Sequence, residues 1–301
     1  MASFGYDERT IADWERRGGD HAQQVHEHLV EQGQVDLQHV QADELWVKLV
    51  GQRLWLALAL AVPSRLWLGG VLGARRDDRL LARLVGHVRA AAQSLAILVC
   101  VDGLAGYPGA FRRGFRTPER TGKPGRPKLR EAPGLLIAQV VKRYANRRLV
   151  RSETRVAQGS AAAVAAVLAA TGTGRQINTA FIERLNATFR ARLAPLARRS
   201  RRLMRREASL EALLYLVGCL YNFCTPHASL RLPAGSESGR KWQARTPAMA
   251  AGLTDHCWSV AELLHYRVPP PPWEPPRRRG RKARRPRAIP WVLRPRRVVL
   301  C

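Results

Sequence analysis

The spacing of apolar positions changes several times along the chain. Over 5–18, Ile11 and Trp14 fall three apart, the spacing of one helix face, and Gly18-Gly19 predicts its end. A second helix is expected over about 21–32. From residue 40 the pattern becomes strand-like, in segments 40–50, 54–62 and 66–72 divided by Gly51-Gln52 and Pro63-Ser64-Arg65. Connections this short join antiparallel neighbours, so a three-stranded meander is predicted. Residues 77–94 return to helical spacing, with Leu80, Leu81, Leu84, Val85 and Val88 on one face. The apolar run 95–101 then ends at Asp102-Gly103, as a strand buried on both faces would.

Further on, 137–144 and 148–155 supply one or two strands, 161–170 a short helix of Ala and Val, and 178–206 a long helix broken at Pro195. Residues 210–223 read as an apolar helix. The stretch 117–133, rich in Gly, Pro, Lys and Arg, is expected to be an exposed basic loop. After Pro269 the chain runs through prolines into Arg277, Arg278, Arg279, Arg281 and Lys282. Such a segment buries too little apolar surface to fold alone and is expected to be a disordered, phosphate-seeking tail.

An antiparallel meander, a helix and a buried strand open a ribonuclease-H-like α/β fold, a mixed sheet flanked by helices, although other α/β folds begin the same way. The expected organisation is a helical segment over 1–35 resembling part of a helix-turn-helix, a domain over 36–268 and a tail over 269–301.

Charge narrows the partner. The chain of 301 residues carries 51 Lys and Arg against 23 Asp and Glu, a formal charge of +28. Its hydrophobic content of 46% is ample for a core. A polyanion is the implied partner, nucleic acid foremost, because such a surface attracts phosphate and gains affinity by counterion release. Five cysteines without a Cys-x-x-Cys pair suggest neither a disulfide framework nor a zinc ribbon, and the reducing cytoplasm is expected. Cys219, Cys224 and His227 lie close in sequence, but Cys219 falls on an apolar helical stripe and reads as core. The N-terminus has no signal-peptide pattern, and the apolar stretch 54–72 is interrupted at Pro63, too early to span a bilayer. A soluble protein with no membrane partner is expected.

Against this basic background three acids ask for a reason: Asp43, Asp102 and Glu183. Asp43 is expected in the first strand, Asp102 at the end of the buried one and Glu183 on a later helix. If the two strands pair, their carboxylates meet, and three such groups could hold two Mg²⁺ ions, with oxygen ligands, against a phosphodiester. Singly, each acid has an ordinary account as a strand-start charge, a turn former or a partner in an Arg-rich helix. Glu44 is expected to point away from Asp43, since strand side chains alternate. Asp77 reads as a helix N-terminus favoured by the dipole.

With their neighbours these residues resemble the DDE transposases of bacterial insertion sequences. The resemblance rests on Val-Gln-Ala-Asp-Glu-Leu (40–45), Arg-Leu-Trp-Leu-Gly-Gly (65–70), Arg-Arg-Asp (75–77), Val-Asp-Gly-Leu (101–104) and Ile-Asn-Thr-Ala-Phe-Ile-Glu-Arg-Leu-Asn-Ala-Thr-Phe-Arg (177–190). Tyr-Asn-Phe-Cys (221–224), His227 with Ser229-Leu230, and the block 245–255 complete it. It spans about 5–268 and implies a ribonuclease-H-like domain that cleaves element ends and joins the freed 3′ hydroxyl to target DNA. Asp43, Asp102 and Glu183 would hold Mg²⁺, for which Mn²⁺ could substitute, while Arg184 and Asn186 would contact phosphate or position the site. Arg190, Arg198, Arg199, Arg201 and Arg202 would track the DNA backbone. The partners implied are the terminal inverted repeats, target DNA and further copies of the chain. The family carries a complete helix-turn-helix upstream, whereas this chain begins at what reads as its final helix, which leaves end recognition open. Two other readings stand beside this one: a DNA-binding relic without activity, and a nuclease that cuts without joining.

Overall fold

The computed structural model describes residues 5–120, 122, 126–146, 148–197, 204–234, 241–270 and 273. Met1–Val268 form one compact unit and Pro269–Cys301 a second. The expected tail residues Arg277, Arg278, Arg279, Arg281 and Lys282, and Arg198, Arg199, Arg201 and Arg202, which were expected to track the DNA backbone, lie outside the described residues.

The first unit is α/β, built on a six-stranded mixed sheet flanked by helices. β1 (His39–Leu49), β2 (Gln52–Ala61) and β3 (Leu66–Gly73) form the expected antiparallel meander. The helix α2 (Asp78–Ala91) follows, capped by the Asp77 carboxylate, which accepts from the backbone N–H groups of Arg79 and Leu80. This agrees with the N-terminal role expected of that acid. The chain then enters the centre of the sheet as β4 (Leu98–Asp102), parallel to β1. β7 (Leu136–Ala145) lies parallel to β4, and β8 (Arg148–Gln158) returns antiparallel as the edge, giving the order β3-β2-β1-β4-β7-β8.

Helices cover both faces. α2 and α3 (Gly106–Gly114) lie on one face, and α4 (Ala161–Ala170), α5 (Ala180–Arg192) and α6 (Glu207–Cys219) on the other. Two adjacent glycines in β3 let both layers approach: a Cβ at Gly69 would meet His87 of α2, and one at Gly70 would meet Leu214 of α6. Gly69 also holds φ +133°, a conformation that favours glycine, beside a register shift in the β2–β3 pairing.

The N-terminal expectation is corrected. A single helix α1 (Glu8–His26) runs through Gly18-Gly19 and ends in a π turn, Glu27–Glu31. Gly19 does not stop it but serves packing: α1 lies against α6 so closely that a Cβ there would sit 2.3 Å from the Ala212 carbonyl oxygen. The basic stretch 117–133 is also more ordered than expected, since β5 (Arg116–Glu119) and β6 (Lys128–Glu131) pair as a small antiparallel ribbon. The predicted helix over 178–206 stops at Arg192, before Pro195. Cys219 is buried and donates to the Ala22 carbonyl, in keeping with a core role. Among the described residues no helix is long and apolar enough to cross a membrane.

Candidate active site

The parallel register of β1 and β4 pairs Ala42 with Val101, so Asp43 and Asp102 come next to each other where β4 ends. One oxygen from each of Asp43, Glu44 and Asp102 lies within 4.8 Å of the other two, close enough to share a metal ion. The inclusion of Glu44 corrects the expectation that it faces away. Alternation does send it to the α2–α3 face, but β4 stops at Asp102 and leaves that flank of β1 open. Side chains of opposite faces meet around such an edge.

Each carboxylate is held differently. Asp43 Oδ2 accepts from Asn186 Nδ2 at 2.7 Å and Oδ1 from the Glu44 backbone N–H at 2.9 Å. Burial raises its pKa to about 6, reinforced by Asp102 and Glu183 and opposed by Arg76 and Arg190. Asp102 Oδ1 accepts from the Leu104 N–H at 3.0 Å, a turn that fixes the chain leaving β4, and Oδ2 meets the Arg76 guanidinium at 3.1 Å. Glu44 is buried, accepts from the Tyr107 hydroxyl at 2.6 Å and forms an ion pair with Arg76. Arg76 thus bridges two of the three acids.

Glu183 stands in the first turn of α5, where its Oε1 accepts from Lys142 Nζ at 2.6 Å and from Thr179 Oγ1 at 3.0 Å. It lies outside the tight trio but lines the same open cleft of about 500 Å³, with Asp43, Arg76, Asp102, Lys142 and Thr179. α5 is fixed over the sheet by Gln41, which lies two residues before Asp43 on the same strand face. Gln41 Oε1 accepts the Phe181 and Ile182 backbone N–H groups, each at 3.0 Å, and its Nε2 donates to the Asn178 carbonyl at 2.8 Å. A buried strand residue therefore caps the helix that carries Glu183 and Asn186. On the opposite flank, Gln139 Nε2 donates to the carbonyls of Asp102 and Leu104 at 3.0 and 3.1 Å.

The structure therefore brings Asp43, Asp102 and Glu183 to one cleft, whereas Asn186 is buried beside Asp43, which corrects the expected phosphate contact and leaves it the positioning role. Arg190 is near enough to favour the charged form of Asp43, whereas Arg184 is exposed on the outward side of α5. Glu44, Arg76, Tyr107, Lys142 and Gln41 join the site without having been assigned to it from the sequence. The clearest signal among them is at Gln41, a buried polar residue two positions before Asp43 in a strand that also holds His39 and Lys48. A donor set made of carboxylate oxygens suits a hard divalent cation, and the pKa of Asp43, raised first by burial and then by the charges of Asp102 and Glu183, is one that a cation would lower. No protein-family model and no curated protein matches the chain.

Proposed function

We propose that this chain is a metal-dependent DNA strand transferase of the insertion-sequence transposase kind, on a ribonuclease-H-like fold. The observation that carries the reading is the pairing of Asp43 and Asp102 on adjacent parallel strands, with Glu183 from a later helix lining the same cleft. The order of meander, helix and central parallel strand supports the fold reading. The charge of +28 supports a polyanionic substrate.

Asp43, Asp102 and Glu183, with Glu44 beside the first two, would hold two Mg²⁺ or Mn²⁺ ions, which supply charge neutralisation and an activated oxygen nucleophile at phosphorus. Asn186 fixes the Asp43 carboxylate, and the Leu104 N–H fixes that of Asp102. Arg190 and Arg184 extend the basic surface along α5 for DNA phosphate. Water would attack phosphorus at an element end as the P–O3′ bond breaks, leaving a 5′ phosphate and a free 3′ hydroxyl. That hydroxyl would then attack a target phosphodiester, forming a new P–O bond as the target's P–O3′ bond breaks and its 3′ hydroxyl leaves. The two ends would be brought together by more than one copy of the chain.

The test is Mg²⁺-dependent nicking and joining on a supercoiled plasmid carrying the DNA that flanks this gene. Asp102→Asn is expected to keep DNA affinity and lose at least about a hundredfold in nicking rate, the scale set by losing a group that stabilises transition-state charge. Glu183→Gln should lose joined product. Unimpaired nicking by Asp102→Asn would sink the assignment. One observation favours a second reading, a DNA-binding protein without chemistry: Arg76 and Lys142 already pair with acids of the site. Binding by the wild type without cleavage under Mg²⁺ or Mn²⁺ would select it.

A further inference from the structure

Beyond the acidic cluster, β1 and β2 continue as a hairpin whose faces differ. On one, Leu45, Val47, Leu49, Leu54 and Leu56 are buried. On the other, Glu44 is the last β1 side chain covered: Trp46 is 57% exposed, and Lys48 and Arg53 are exposed as well. The register sets Trp46 opposite Trp55 and Lys48 opposite Arg53. The Arg53 guanidinium lies 5.7 Å from the centre of the Trp46 ring, and that of Arg76 lies 5.3 Å from the centre of Trp55.

An exposed hairpin gains from opposite charges across the strands and loses from like charges. Here lysine faces arginine, and among the described residues neither has a carboxylate at ion-pair distance. This face is therefore locally short of negative charge. It is also continuous with the cleft, because Arg76 touches Glu44 and Asp102 on one side and the Trp55 ring on the other. Trp46 lies two residues beyond Glu44, about 7 Å along the strand.

We propose that this hairpin face binds single-stranded DNA, with one unpaired base stacked on Trp46 and its flanking phosphates on Lys48 and Arg53. Cations alone would suit a duplex backbone. An indole adds affinity only where a base offers a free π face, which a stacked duplex withholds. The placement of this strand beside the scissile phosphate rests on the strand-transferase reading, whereas the binding itself does not.

The experiment uses the full chain in EDTA and two labelled oligonucleotides of equal length and charge, one of thymidines and one of abasic residues, followed by fluorescence anisotropy. The wild type should prefer the base-bearing strand. Trp46→Ala should cut that preference on the order of tenfold and leave abasic affinity unchanged, while Trp46→Phe keeps most of it. Lys48→Glu combined with Arg53→Glu should weaken both strands alike. A wild type without preference, or a Trp46→Ala variant that retains it, would overturn the proposal. Plasmid nicking under Mg²⁺ on the same preparations separates the two ideas. Absence of nicking in the wild type removes the enzymatic reading and leaves base preference standing, and nicking without base preference removes only the hairpin site.

Discussion

His26 is buried between the rings of Trp67 and Tyr215, at centroid distances of 4.6 and 5.5 Å. Burial lowers its pKa to about 4, aided by the charge of His87 and opposed by Glu31. The folded value thus lies below the ordinary 6.5, so between pH 6.5 and 4 the unfolded chain binds the extra proton. The stabilisation is complete above that window and is lost as pH falls through it, to the extent of roughly 3 kcal/mol for a shift of this size. His26→Phe is expected to narrow the acid loss of Tm, so that the difference between variant and wild type changes between pH 7 and pH 4.5. A constant difference across that range would contradict the assignment. At this scale, acids set in strand segments of a basic chain were legible: Asp43 within β1 and Asp102 at the end of β4. Glu44 was not, because alternation predicts its face and not how far its side chain reaches around an open strand edge. Arg76 and Lys142 were illegible for another reason: their roles are set by pairing partners distant in sequence.

At the scale of elements, the long apolar periods were readable and the exceptions have identifiable causes. The meander, α2, β4 and α4 fall close to their predicted limits because α2 buries one regular helical stripe, β3, β4 and most of β2 are apolar runs buried on both faces, and α4 is an unbroken run of small apolar residues. α3 gave no period, since Gly106, Pro108, Gly109 and Gly114 break it up, and Pro108 is tolerated in the first turn, where its missing N–H costs little. The β5–β6 ribbon exposes most of its side chains and so leaves no alternation to read. Gly18-Gly19 misled because a glycine that ends a helix and one that admits a neighbouring helix look identical in sequence. A paired substitution separates these roles. Gly19→Ala forces a Cβ onto the backbone of Ala212 and should cost about 1–3 kcal/mol as overpacking. Gly86→Ala, on the exposed side of α2 with nothing within 4 Å, should instead gain up to about 1 kcal/mol from helix propensity. Opposite shifts in Tm for two formally identical changes are the expected result. Equal shifts would mean that α1 does not pack tightly on α6.

For the whole molecule, charge is the property that sequence states most completely and the fold uses most selectively. The first unit gathers its key carboxylates where the central strand β4 ends beside β1, and there Arg76, Lys142 and Arg190 act on them. Many of its remaining cations are left on the surface. Eleven of the 51 Lys and Arg residues lie beyond Pro276, with no acidic residue among them. Charge of that density, unopposed by carboxylates, should act on DNA through counterion release, which is independent of base sequence. Ending the chain at Pro276 should therefore weaken binding to all duplexes about equally. If three of those cations engage phosphates, the slope of log affinity against log salt should become shallower by about 2.7. The effect of Trp46→Ala on base preference should persist in the shortened chain, because the hairpin belongs to the first unit. Titrations of both forms between 50 and 200 mM salt distinguish the contributions. An unchanged slope after truncation would assign the electrostatic binding to the cations of the first unit, and a loss of base preference on truncation would place the stacking contact outside the hairpin.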